Sequence, residues 1–222
     1  MNRQSKGVTV VLMLGLLAWF TFELDRQRWR PDRLRTQATA AWDLDQKRTA
    51  CFARPDSLVV VGNSILHTVR DSLEALPGVA VWSVPGEYAL HLDKWATGLD
   101  HPNIEVVAVA LGANDLLAGY GADTLRHNYA AFRARMTAAG KYTYALPVVP
   151  FELGTSTYIR PDALEVARLN YNQWPQDAGG ARSDAEVFPA AQWRDFTSDG
   201  VHPNEKGCAL LAKFYKTYCL LD

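Results

Sequence analysis

At 222 residues, with 48% hydrophobic and 21% charged side chains, the chain has enough length for one well-buried core plus an appendage, and its apolar content excludes wholesale disorder. Lys and Arg number 23 against 24 Asp and Glu; the first fifty residues hold nine basic and five acidic side chains, the remainder fourteen and nineteen. A body of that sign is a poor match for a nucleic-acid backbone, and three cysteines without metal-finger spacing exclude a disulfide scaffold or a zinc module.

Residues 7–22 carry no charge and are mostly apolar, with Arg3 and Lys6 ahead of them. Sixteen residues at 1.5 Å each span about 24 Å, short of a hydrocarbon core of roughly 30 Å. Snorkelling by Lys6 and extension through Leu24 make up the difference. A transmembrane anchor over 1–23 is therefore expected, followed by a polar, partly helical stalk over 24–53 that contains Pro31. Two other readings stay open. A cleaved signal peptide would need a small-x-small site that Thr21, Phe22, Glu23 and Leu24 do not offer, and a buried core helix fits by length. Arg26, Arg28, Arg30, Arg33 and Arg35 beyond the apolar run leave the orientation undecided by charge.

The body, 54–222, alternates strands and helices. Residues 58–61 form a continuous β-branched run ended by Gly62, the pattern of a buried parallel strand. Ile65, Leu66, Val69, Leu73 and Leu76 then repeat at helical spacing up to Pro77-Gly78. Further strands are predicted at 79–84, 104–111 and 142–148, with a short fifth at 185–188. Helices are predicted at 123–138, 162–174 and 205–218, the last with Leu211, Phe214, Tyr215 and Tyr218 facing inward. This order predicts a three-layer α/β/α sandwich around a mostly parallel five-stranded sheet.

In such sheets ligands bind beyond the carboxyl ends of the strands, and there the polar residues gather. Ser64 sits between a strand and a helix, where its N–H lies at the positive helix end; the plain alternative is an N-cap. His202 supplies the base that a serine hydroxyl needs to become a nucleophile. Asp199, three residues earlier, can fix the tautomer of that imidazole. Asn114, after the turn at Gly112, can offer a side-chain N–H to an oxyanion, and Gly86 a backbone N–H with no Cβ in the way. As isolated features these would be an exposed loop histidine, a turn cap and half of a Pro-Gly turn.

In order, Gly62-Asn63-Ser64, Gly86, Gly112-x-Asn114-Asp115 and Asp199-x-x-His202 resemble the SGNH hydrolases, also called the GDSL esterase and lipase superfamily. The resemblance spans about 55–222 and implies a flavodoxin-like fold and a serine ester hydrolase. It assigns the nucleophile to Ser64, the rest of the triad to Asp199 and His202, and the oxyanion hole to Ser64, Gly86 and Asn114. Asn63 departs from the family's usual Gly-Asp-Ser, removing a negative charge beside the nucleophile. Family members are commonly exported or envelope-tethered, which implies an extracytoplasmic body on its membrane anchor.

Asn63, Trp82, Tyr88 and Trp193 border these motifs and are candidate substrate contacts, with core packing as the alternative for the rings. The expected substrate is an acyl ester, preferentially O-acetyl, of cell-envelope carbohydrate. An O-acyltransferase, a lysophospholipase-like esterase and a non-catalytic carbohydrate-binding protein remain alternatives. No cofactor, metal or nucleic-acid partner is expected; His67, His91, His101 and His127 lack cluster spacing and read as surface residues. In an oxidising compartment Cys51 and Cys219 are the expected disulfide, leaving Cys208 buried.

Overall fold

A computed structural model describes residues 58–151, 161–174 and 190–219. Its central strand, β1 (Leu58–Gly62), is buried along its whole length, as a run of Leu and Val without polar alternation requires. Strands β2 (Val79–Ser83) and β3 (Val106–Ala110) flank it, and β4 (Tyr142–Ala145) lies outside β3. All three pairings are parallel and the order is β2-β1-β3-β4. Gly62 pairs with Ser83 on one side and Ala110 on the other, so three strands end at one level and their exit loops share one rim. The chain leaves β1 toward β2 and later returns to its other side as β3; this reversal of strand order opens a crevice at that rim.

The helical run expected after β1 is two short helices, α1 (Ser64–His67) and α2 (Arg70–Glu74). The break has a local cause. Thr68 Oγ1 donates to the Ile65 carbonyl at 2.7 Å, and Val69 takes φ −114°, ψ 4°. Between β2 and β3 lie a 3₁₀ turn (Ala89–His91) and α3 (Leu92–Leu99), neither anticipated. Then come α4 (Ala113–Leu117), α5 (Ala122–Ala138), α6 (Pro161–Asn172), a 3₁₀ segment (Ala190–Phe196) and α7 (Glu205–Cys219).

Helices α3 to α6 pack among themselves with α5 against β4, whereas α1 and α2 lie on β1 and β2 with α7 against α2. Leu211, Phe214 and Tyr215 of α7 are buried, as their spacing predicts. Strand β4 ends at Ala145, three residues earlier than expected. Beyond Pro147 the ladder is replaced by α6, whose Asn172 side chain accepts from the Val148 N–H at 2.9 Å and donates to its carbonyl at 2.8 Å. The fifth strand expected at 185–188 falls outside the described residues, among which the sheet has four strands. The anchor at 1–23 and the stalk at 24–53 also fall outside them. Among the described residues no helix is long and apolar enough to cross a membrane.

Candidate functional site

At the end of β1 the chain enters α1 through Asn63, which is 1% exposed and whose Oδ1 accepts from the Ile65 N–H at 3.0 Å. Asn63 is thus the N-cap, and Ser64, the first helical residue, is released from the capping role that serine often takes. The half-buried Ser64 places its Oγ 3.1 Å from Nε2 of His202, 138 residues away in sequence.

His202 is held by a loop that is closed on itself. Thr197 and Pro203 form an antiparallel bridge, the Ser198 N–H donates to the His202 carbonyl at 2.9 Å, and Gly200 makes the turn at φ +84°. Asp199 Oδ1 accepts from the N–H groups of Val201 and His202 at 2.9 and 2.7 Å, and its Oδ2 lies 2.7 Å from His202 Nδ1. Partial burial pushes this carboxyl up, but the His202 ring and the two N–H donors outweigh it and hold it below the usual carboxylate range. Facing an ionised oxygen, Nδ1 carries the ring proton and Nε2 presents its lone pair to Ser64. The loop is fastened to the body by Asn204. Its Nδ2 donates to the carbonyls of Asp195 and Thr197, and its Oδ1 caps α7 by accepting from the Gly207 N–H at 3.1 Å. Gly207 permits the fit, since a Cβ there would fall on the Phe196 carbonyl.

Gly86 is exposed and has φ +79°, a conformation that favours glycine. Among the described residues neither its N–H nor that of Ser64 donates to a backbone carbonyl. Asn114, in the first turn of α4, donates one Nδ2 hydrogen to the Glu87 carbonyl at 2.8 Å. That bond fixes the carboxamide beside the Gly86 turn and leaves its second N–H. The next residue, Asp115, is fully buried and accepts from the N–H groups of Ala89 and Leu90 at 2.8 and 3.1 Å. Burial pushes its carboxyl above the usual range, against the pull of those two donors. Sequence reading gave Asp115 no task of its own, because its partners are backbone groups some 25 residues away.

The substrate-contact expectations divide. Trp82 and Trp193 are both 0% exposed and belong to the core: Trp82 lies on a strand covered on both faces, and Trp193 stacks on Phe196 at 6.2 Å. Neither ring offers a face to a ligand, and Asn63 is occupied as a cap. Tyr88 is half-buried, edge-on to His91 at 5.7 Å. His91 is paired with Glu87 at 2.6 Å and His67 with Ser83 at 3.0 Å, so neither is a plain surface histidine. Cys208 is half-buried with a free thiol, whereas the expected Cys51–Cys219 pair reaches outside the described residues through Cys51. Among the described residues no cluster of three or more His, Cys, Asp or Glu side chains is arranged to hold a metal ion.

The sequence profile of the GDSL-like Lipase/Acylhydrolase family matches residues 56–210. No curated protein sequence matches the chain. Among solved structures, a Streptococcus pneumonia protein provisionally named a platelet activating factor superposes with a TM-score of 0.67 at 18% identity, covering 88% of this chain and 98% of that one. The psychrotrophic esterase EstA of Pseudoalteromonas sp., inhibited by monoethylphosphonate, gives 0.55 at 19% identity over 74% and 97% of the two chains. A variant of an acetyl-xylooligosaccharide esterase from Geobacillus Stearmophilus gives 0.55 at 15% identity over 75% and 95%. At such identities these likenesses speak for the fold.

Proposed function

Because the chain belongs to the GDSL-like lipase/acylhydrolase family and is an esterase by that membership, we propose that it cleaves a small-acyl ester, preferentially O-acetyl, of cell-envelope carbohydrate through Ser64, His202 and Asp199. The observation that carries this reading is the continuous hydrogen-bonded line from Ser64 Oγ through the His202 ring to Asp199, at 3.1 and 2.7 Å.

In the first step Nε2 of His202 takes the Ser64 proton while Oγ attacks the ester carbonyl. The developing oxyanion is met by the N–H groups of Ser64 and Gly86 and by the free N–H of Asn114. Collapse expels the alcohol, which receives the proton from His202, and leaves an acyl group on Ser64. Water, deprotonated by the same imidazole, then releases the acid. Loss of one oxyanion donor costs on the order of 3 kcal/mol of transition-state stabilisation.

Solvent access supports hydrolysis over transfer to a sugar acceptor, since the side chains of His202 and Asp199 are 43% and 54% exposed. The resemblance in fold to an acetyl-xylooligosaccharide esterase supports an acetylated sugar as substrate class. The apolar run at 7–22 supports tethering of the body to the membrane, and the export common in the family supports an extracytoplasmic side for it. The test compares wild type with Ser64→Ala on p-nitrophenyl acetate, longer-chain esters and acetylated oligosaccharide. Serine-dependent acetate release that falls with acyl length is expected. Equal turnover by both proteins would end the reading.

A further inference from the structure

The segment after Gly86 is gripped from one side by two consecutive residues. Asn114 holds the Glu87 carbonyl at 2.8 Å, and Asp115 holds the N–H groups of Ala89 and Leu90 at 2.8 and 3.1 Å. Both grips issue from the first turn of α4, which the end of β3 carries. The segment's own turns, Glu87 N–H to the Val84 carbonyl and His91 N–H to that of Tyr88, shape it locally without fixing it against β3. Among the described residues, only the hydrogen bonds from residues 114 and 115 do that.

We propose that Asp115 is a positioning residue for the oxyanion hole: its carboxylate clamps Ala89 and Leu90 so that the Gly86 N–H and the Asn114 carboxamide converge on one point. This rests on the hydrolase reading above. The chemistry asks for a carboxylate, because two acceptor oxygens face two N–H donors. An asparagine would turn an NH₂ group against one of them. The side chain is 0% exposed, which puts it out of a substrate's reach, so its effect passes through the hole. Without the clamp the Glu87 carbonyl drifts, the Asn114 amide follows it, and both donors lose aim together. Hole donors act only when held within tenths of an ångström of the developing charge, so loose aim lowers turnover more than substrate binding.

The experiment measures kcat and KM of Asp115→Asn on p-nitrophenyl acetate per functional site, counted by complete phosphonate titration, beside wild type, Ser64→Ala, Asn114→Ala and the Asn114→Ala/Asp115→Asn double variant. The expected result is a kcat per site lowered about 30-fold or more with KM within about twofold, and an effect of Asp115→Asn below about threefold once Asn114 is already alanine. Unchanged kcat per site, or fully multiplicative effects in the double variant, would overturn the proposal and leave Asp115 as fold support. Where Asp115→Asn gives no titratable sites, Ala89→Pro deletes one clamped donor from the other side, with Tyr88 already in the extended conformation that a following proline requires. Failure of both variants to fold likewise assigns Asp115 to fold support and overturns the proposal. Absence of Ser64-dependent turnover in wild type defeats the hydrolase reading instead, so the two failures are distinguishable.

Discussion

The two halves of the proposed site are built in opposite ways. Ser64 stands at the foot of a fully buried strand, behind a cap that is 1% exposed. His202 and Asp199 stand on a surface loop, each about half exposed, held by hydrogen bonds made within that loop and by the clips of Asn204. The nucleophile takes its position from the core; the base takes its position from local polar contacts. Changes at the two places should therefore divide between activity and stability.

The largest expected separation is at His202. His202→Ala should lower kcat/KM on the order of 10⁴-fold. The loop's bridging bond uses the His202 carbonyl, which the substitution keeps, so stability should move by less than about 0.5 kcal/mol. Steady-state kinetics beside a urea melt checks both. A large stability loss would erase the contrast between the halves. Asn63→Ala probes the other side: it removes the α1 cap and should cost about 1 kcal/mol of stability in the same melt. A neutral result would mean that the strand-to-helix corner does not depend on its cap.

The smallest effect is also the finest comparison, between two aspartates. Asp199 is held below the usual carboxylate range by its hydrogen bonds, whereas burial pushes Asp115 above it. The depressed Asp199 contributes stability that is present above the ordinary carboxylate value and lost as pH falls through its folded value. It is half exposed, so this contribution is small. For Asp115 the sign reverses, and stability tied to its protonated form is lost as pH rises through its folded value. Carboxyl-carbon NMR titration should find the two on opposite sides of the ordinary value; the same order for both would contradict the assigned environments.

Much of this arrangement could be read in the sequence, for definable reasons. Strands β1 to β4 announce themselves as short β-branched or aromatic runs ending near glycine or proline, and their order places the motif loops on one rim. The separation of Ser64 from His202 in sequence hides nothing, because each motif follows its own element. Other features were less visible. Helix α3 carries Leu92, Trp95, Ala96 and Leu99 at helical spacing, yet it is short and kinked at Thr97-Gly98, where φ reaches +100°. Trp82 is near Gly86 in sequence, but a strand covered on both faces turns its ring into the core whichever way it points. Asp115 was opaque because a backbone donor leaves no signature in residue type.

The central claim, that the Ser64 hydroxyl is activated by the His202 imidazole, is tested most directly by covalent trapping. Wild type and His202→Ala are treated with an alkyl fluorophosphonate, followed by intact-mass and peptide mapping over time. The account predicts a single adduct on the peptide containing Ser64, absent in Ser64→Ala and formed on the order of 10³-fold more slowly in His202→Ala. An adduct on another residue, or one forming equally fast without the imidazole, would contradict it.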